Sequence, residues 1–182
     1  MNPTNDTSYA LVGLKHVGKS TLGIRLAREL GYRFCDLDDE MLGYAVAQGV
    51  VSPSSTVRQL FQAVGPTVFG DVEYRALQAL IAAGLNSTVL SAGGGVADHE
   101  NLLRLIQERF TVVYLHNDPL VLYERIMKRG TPAFLDPTRP RDHFLEIAQR
   151  RSDRYRDIAD ISVDVTGLDS QRAFQKLFSR VR

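Results

Sequence analysis

Along this chain, short apolar runs alternate with longer stretches whose apolar residues recur at helical spacing. Tyr9-Ala10-Leu11-Val12 is a run of strand type, and Thr21 to Leu30 carries apolar residues three and four apart, closing on Gly31. Arg33-Phe34-Cys35 predicts a second strand, and Asp38 or Asp39 is placed to cap a helix starting near Glu40. Gly43 to Val51 is small and apolar without a clean period, and Ser52-Pro53-Ser54-Ser55 is a loop. Thr56 caps a helix beginning Val57-Arg58-Gln59-Leu60-Phe61, Gly65-Pro66 breaks it, and another helix spans about Val68 to Ala83. Ser87 to Ser91 is a strand, Asp98 caps the following helix, and Phe110 to Leu115 is the clearest buried strand. Asn117 or Asp118, followed by Pro119, starts a helix that ends near Gly130. Thr131 to Arg141, with three prolines and two arginines, is a surface loop, and a helix follows from about Asp142 to Ile158. Ile161 to Val165 is a strand, and Asp169 starts a final amphipathic helix. Strands alternating with helices predict right-handed βαβ units and an α/β fold around a parallel sheet.

Composition changes this picture little. The chain has 182 residues, 44% of them hydrophobic and 24% charged, enough for one domain with a sizeable core. A net charge of +1 gives no bulk attraction to nucleic acid or to a membrane surface. The single cysteine, Cys35, excludes an intrachain disulfide and fits a reducing compartment. No apolar run reaches membrane-spanning length, and the polar start has neither signal nor transit character, so the expectation is a cytoplasmic protein.

The chemistry gathers at strand ends. Between the first strand and the first helix lies Gly13-Leu14-Lys15-His16-Val17-Gly18-Lys19-Ser20-Thr21, the pattern G-x-x-x-x-G-K-[ST] of a phosphate-binding P-loop. Its glycines let backbone N–H groups converge on an anion, and the helix dipole adds positive potential there. Lys19 is predicted to reach the β/γ-phosphates and Ser20 to ligate Mg²⁺. The second strand runs into Asp36-Leu37-Asp38, where one carboxylate can steer Mg²⁺ and the other accept a hydroxyl proton. The bland role open to either is a helix cap. Gly93-Gly94-Gly95 follows the third strand, so its backbone can approach a small ligand closely. Parallel sheets bind ligands at the carboxyl ends of their strands, which makes these three a candidate active site.

Other charged residues read more weakly. Arg125 and Arg129 precede the proline-rich loop, Arg139 and Arg141 lie in it, and the loop could close as a lid. Arg150, Arg151, Arg154 and Arg156 share a helix with Asp153 and Asp157, so most are expected to form surface pairs within it, with at most one touching a ligand. His16 is expected to be exposed within the phosphate loop. The other histidines, His99, His116 and His143, have no metal-ligand spacing, and Cys35 reads as a small packed residue.

Four marks in order, the P-loop, Phe34-x-Asp36-x-Asp38, Gly93-Gly94-Gly95 and Arg151-x-x-x-Tyr155-Arg156-x-x-Ala159, resemble the shikimate kinase family over nearly the whole chain. The resemblance implies a three-layer P-loop kinase fold with a five-stranded parallel sheet. It implies ATP-dependent phosphorylation of shikimate with Mg²⁺. It further implies that Gly13, Lys15, His16, Val17, Gly18, Lys19, Ser20 and Thr21 hold the nucleotide, with Arg125 against adenine. Asp38 would bind the acceptor's hydroxyls and act as base, and Ser20 and Asp36 would serve Mg²⁺. Gly93, Gly94 and Gly95 would line the acceptor pocket, and Arg151 would pair with a carboxylate. The chain departs from the family at two points. The family's F-R-x-x-E, whose arginine grips that carboxylate, here reads Phe69-Gly70-Asp71-Val72-Glu73, and its lid R-P-L-L reads Pro132-Ala133-Phe134-Leu135. There is also an insertion around Gly43 to Ser55. Gly70 either leaves Arg151 alone or makes room for a bulkier acceptor, and Arg75, Arg139 or Arg141 are candidate substitutes.

Three readings follow: a kinase of shikimate, a kinase of a different small hydroxylated acid, or a shikimate-kinase-like sensor without turnover. The expected organisation is one kinase domain over residues 1–182, monomeric, with an acceptor-binding helical region at 43–67 and a lid at 129–142.

Overall fold

The runs read as strands become five short strands: β1 (Tyr9–Val12), β2 (Arg33–Asp36), β3 (Thr88–Ser91), β4 (Thr111–His116) and β5 (Ile161–Asp164). In this computed structural model, which describes residues 7–128, 130, 132 and 135–182, they form one parallel sheet in the order β2-β3-β1-β4-β5. The order changes direction beside β1, so the carboxyl ends of β1, β2 and β3 open on one edge, with Asp36 paired in register with Ser91.

The intervening helices are α1 (Lys19–Leu30), α2 (Leu37–Ala47), α3 (Val57–Ala82), α4 (Glu100–Arg109), α5 (Pro119–Met127), α6 (Pro140–Ile158) and α7 (Ser170–Val181). Strand alternation sends Tyr9 and Leu11 to one face of the sheet and Ala10 and Val12 to the other. On the first face they pack with Leu26, Leu115 and Leu177, and on the second with Leu77, Leu90, Leu102 and Ile106. A smaller apolar cluster of Met41, Ala45, Leu60, Val72 and Ala76 joins α2 to α3. This is the α/β architecture around a parallel sheet that the sequence pattern predicts, in the three layers that the resemblance implies.

Local chemistry sets most boundaries. Gly31 ends α1 at φ 70°, its N–H donating to Ala27 and Arg28 carbonyls. Thr56 and Gln59 form a reciprocal capping box at the start of α3. Gly65, at φ 74° and ψ 171°, kinks α3 where Pro66 removes an N–H, so the expected break is a bend between two helical runs.

Two expectations about caps change. Asp36, not Asp38 or Asp39, caps α2: its Oδ1 accepts from the Asp38 N–H at 3.1 Å, and the helix starts at Leu37. Asp98 caps nothing. It ends a short 3₁₀ turn, Val96–Asp98, and α4 begins after His99, whose side chain makes no capping bond. The expected lid includes residues 129, 131, 133 and 134, which lie outside the described residues. Within the rest of that stretch, Leu135 is buried in the core and Arg139 is paired with Glu146 at 2.7 Å.

Candidate active site

The loop from β1 to α1 owes its shape to residues that accept unusual backbone angles. Gly13 (φ 143°), His16 (φ 66°) and Gly18 (φ 111°) all have positive φ. A Cβ on Gly13 would also lie 2.3 Å from the Leu115 carbonyl oxygen, so only glycine fits there. The curled loop leads into the N-terminus of α1, where unpaired N–H groups favour an anion. The Lys19 amine is buried and donates to the Gly13 and Leu14 carbonyls at 2.8 and 3.0 Å. Burial lowers its pKa to about 8, against the pull of Asp38 and Asp36. A phosphate would restore full charge to this amine.

Beside the loop, a cavity of about 290 Å³ is lined by His16, Gly18, Thr21 and Arg125 from the nucleotide set, and by Asn117 and Leu168. Arg125 donates to the His16 carbonyl at 3.2 Å, so it sits at the rim of this cavity. His16 is half-buried rather than fully exposed.

The carboxylates meet the loop on its other side. Ser20 Oγ donates to Asp36 Oδ2 at 2.7 Å and lies 3.1 Å from Ser91 Oγ. Asp36 thus caps α2 with one oxygen and touches the phosphate loop with the other. Ser91 went unnoticed in the sequence; its only signal there was a hydroxyl at the carboxyl end of a strand. Among the described residues, no group of three or more His, Cys, Asp or Glu side chains is arranged to hold a metal ion. Burial and the neighbouring Asp36 charge raise the Asp38 pKa, while Lys19 pulls the other way.

The triple glycine lies between these parts, and sterics explain two of its members. A Cβ on Gly93 would stand 2.9 Å from Glu73 Oε1 and 3.1 Å from Asp38 Oδ1. One on Gly94 would stand 2.9 Å from the Lys15 backbone nitrogen. Bare backbone is therefore what lets the acidic side and the phosphate loop approach one turn. The hydroxyl of Tyr155, itself fully buried, donates to the Gly94 carbonyl at 3.2 Å and holds that turn. Arg151 Nη1 donates to the same carbonyl at 3.0 Å.

The arginines of α6 pair differently from the expectation. Arg151 binds Asp98 at 2.6 Å, Arg150 binds it at 3.2 Å, and Arg154 binds Glu100 at 2.6 Å. Arg156 pairs within the helix, with Asp153. The other three tie α6 to the 3₁₀ turn and α4, holding Arg151 beside the glycine turn. Partial burial works against it, but the bonds and charge of Arg151 and Arg150 hold the Asp98 carboxyl below its ordinary range. Arg75 does not join the site: it lines a separate groove with Tyr44, Asp71 and Tyr74. Arg139 is engaged by Glu146, as described above.

Glu73 and His99 are further neighbours to which the sequence assigned no role in the site. Glu73 is 2% exposed, and its Oε2 has no hydrogen-bond partner among the described residues. Burial, reinforced by Asp38, pushes its carboxyl up to about 8, so it holds a proton at neutral pH. Its folded pKa exceeds the ordinary 4.5, so its stabilising contribution is fully present below 4.5 and is lost as pH rises through about 8. The melting temperature of the wild type is therefore expected to fall between about pH 5 and pH 8. Glu73→Gln, which cannot ionise, should flatten that fall in a thermal-shift series, and an unchanged slope would show that Glu73 is not its source. Lys19, lowered to about 8, acts with the opposite sign above this window.

The space over Gly70 is not open. A Cβ there would lie 2.0 to 2.6 Å from three ring atoms of His99, so the imidazole already fills the position. The alternative that Gly70 makes room for a bulkier acceptor is corrected accordingly. Gly70→Arg can be accommodated only by swinging the His99 ring away.

Known proteins can now be set beside this geometry. The model of the family described as shikimate kinase matches residues 15–182. A shikimate kinase of Neisseria gonorrhoeae is 37% identical over 154 residues, covering 85% of each chain. One from Chlamydia pneumoniae is 34% identical over 159 residues, covering 87% of this chain and 86% of that one. Among solved structures, shikimate kinase from Acinetobacter baumannii in complex with shikimate superposes with a TM-score of 0.82 at 24% identity, covering 97% of this chain and 93% of that one. That last likeness supports the fold, and the sequence matches carry the lineage: the chain belongs to the shikimate kinase family.

Proposed function

We propose that this chain transfers the γ-phosphoryl group of ATP to the 3-hydroxyl of shikimate. The observation that carries this reading is the single turn at Gly93-Gly94. Asp38 and Glu73 crowd it from one side, the backbone of Lys15 from the other, and Arg151 bonds to its carbonyl. A phosphate donor on the loop and a hydroxylated carboxylic acid on the turn would be neighbours there. The family membership and the shikimate bound to the Acinetobacter baumannii relative support the choice of acceptor.

The residues present suit both cofactors. Positive-φ backbone, the buried Lys19 and the start of α1 fit a polyphosphate, and the adjoining cavity with Arg125 at its rim fits a nucleobase. Ser20, Asp36 and Ser91 offer only oxygen atoms, which suits Mg²⁺, an ion that keeps several waters and phosphate oxygens as ligands. Bound Mg²⁺-ATP supplies the transferable phosphoryl group with part of its charge neutralised. Lys19 is assigned to the β/γ-phosphates, and Gly13, Lys15, His16, Val17, Gly18 and Thr21 to the rest of the nucleotide. Asp38 accepts the proton of the attacking hydroxyl, its raised pKa making it a stronger base than an ordinary aspartate. Arg151 leaves or shares Asp98 to meet the acceptor's carboxylate, and Gly93, Gly94 and Gly95 line the pocket.

All these groups come from one chain, so a monomer suffices, as one kinase domain with an acceptor-binding region at 43–67 and a lid at 129–142. Among the described residues, no helix is long and apolar enough to cross a membrane. A coupled ADP-release assay with Mg²⁺-ATP, run across a panel of hydroxylated carboxylic acids, tests the reading. Saturable turnover with shikimate is expected. Turnover with another acid alone would move the assignment to a different acceptor.

A further inference from the structure

The corner of the site built by Gly70, His99, Asp98 and Arg151 has a chemistry of its own. A glycine inside a helix is less favourable than an alanine, so a buried Gly70 in α3 calls for a reason. The reason is the imidazole of His99, which lies where any Cβ would be, its Cε1 and Nδ1 at 2.0 and 2.1 Å from that point. The backbone that carries the ring is held: the His99 main-chain N–H donates to the Val96 carbonyl at 3.1 Å, and its carbonyl accepts from the Leu103 N–H at 3.0 Å. Yet the ring nitrogens make no hydrogen bond among the described residues, and the residue is only half-buried. A phenyl or isopropyl group would fill the same space, so packing alone gives no account of a polar ring.

Asp98, the preceding residue, holds the Arg151 guanidinium at 2.6 Å. Glu73 lies one helical turn beyond Gly70 on α3 and holds a proton at neutral pH, so it does not repel a carboxylate. An imidazole offers an N–H in either protonation state, and a carboxylate can accept from two donors at once.

We propose that His99 is the second donor to the acceptor's carboxylate, beside Arg151, and that Gly70 is glycine so that the imidazole can sit against α3. This rests on the reading that the acceptor is a hydroxylated carboxylic acid, and it makes His99 a specificity-determining residue for that acid.

Three variants separate a donor from a wedge. His99→Phe keeps a ring over Gly70 without an N–H, His99→Gln keeps a donor, and His99→Ala empties the space. Losing one hydrogen bond to a charged group should raise the KM for the acid about 10- to 100-fold in His99→Phe. The KM for ATP and the melting temperature should stay near wild type, and His99→Gln should recover part of the loss. An acid KM unchanged in His99→Phe, or raised equally in His99→Phe and His99→Gln, would make the ring a spacer and overturn the proposal. If His99→Phe folds poorly, His99→Gln and the wild type are compared on shikimate and on its carboxamide: a smaller penalty for the amide in the variant supports contact, and an equal one overturns it. Wild-type turnover only of acceptors without a carboxylate would overturn this proposal while leaving the kinase reading in place. No turnover of any acceptor would overturn both.

Discussion

Lys19→Ala is expected to abolish measurable phosphoryl transfer, a loss of at least about 10³-fold, because it removes the buried lysine of the phosphate loop. The loop's other lysine, Lys15, is exposed, and Arg125 is engaged by the His16 carbonyl. Nucleotide affinity should fall as well, since the amine contacts ground-state phosphates and developing charge alike. The fold should survive. The amine is already disfavoured as a buried cation, with its pKa lowered to about 8, so deleting it relieves a desolvation cost while freeing two loop carbonyls. Turnover, nucleotide binding and melting temperature measured on one preparation check all three parts. Turnover within tenfold of wild type would remove the phosphate loop from the chemistry.

Asp38→Asn should lower turnover by about 10²-fold or more while leaving ATP affinity close to wild type. Asparagine keeps the shape but cannot accept a proton. A structural explanation for such a loss is weak, because Asp36 is the residue that caps α2, and the Asp38 backbone N–H that satisfies it is untouched by the substitution. The wild-type rate should also fall on the acid side with an apparent pKa above the usual aspartate range, since burial and the Asp36 charge both resist ionisation of Asp38. Activity within a few-fold of wild type would mean that Asp38 is not the base.

The phosphate loop, the strand ends and the parallel βαβ pattern were legible in the sequence because each rests on local spacing. A glycine pattern between an apolar run and a helical stretch can be read without knowing what folds against it, and the same holds for Gly31, Thr56 and Asp169. What was not legible depends on partners distant in the chain. Asp98 looked like a cap because Asp before a helix usually is one, but Arg151, fifty-three residues on, claims its carboxylate. The α6 arginines looked like pairs within a helix, and three of them reach across to the 3₁₀ turn and α4 instead. Glu73 was noted only as a matching position, since no local pattern reveals that a carboxyl will be sealed against Gly93 without a partner. The same limit hid His99: Gly70 read as an absence, and only the folded chain brings an imidazole onto it. At Asp36 the sequence offered the carboxylate but not its double use, as cap and as partner of Ser20.

The central claim is that this site passes a phosphoryl group to shikimate, and phosphorus NMR on a reaction of the purified chain with Mg²⁺-ATP and shikimate tests it most directly. The predicted result is ADP and a single new phosphomonoester, shikimate 3-phosphate, appearing in equal amounts, with both signals lost in Lys19→Ala. ADP accompanied by inorganic phosphate instead, or ATP left intact beside unmodified shikimate, would contradict it.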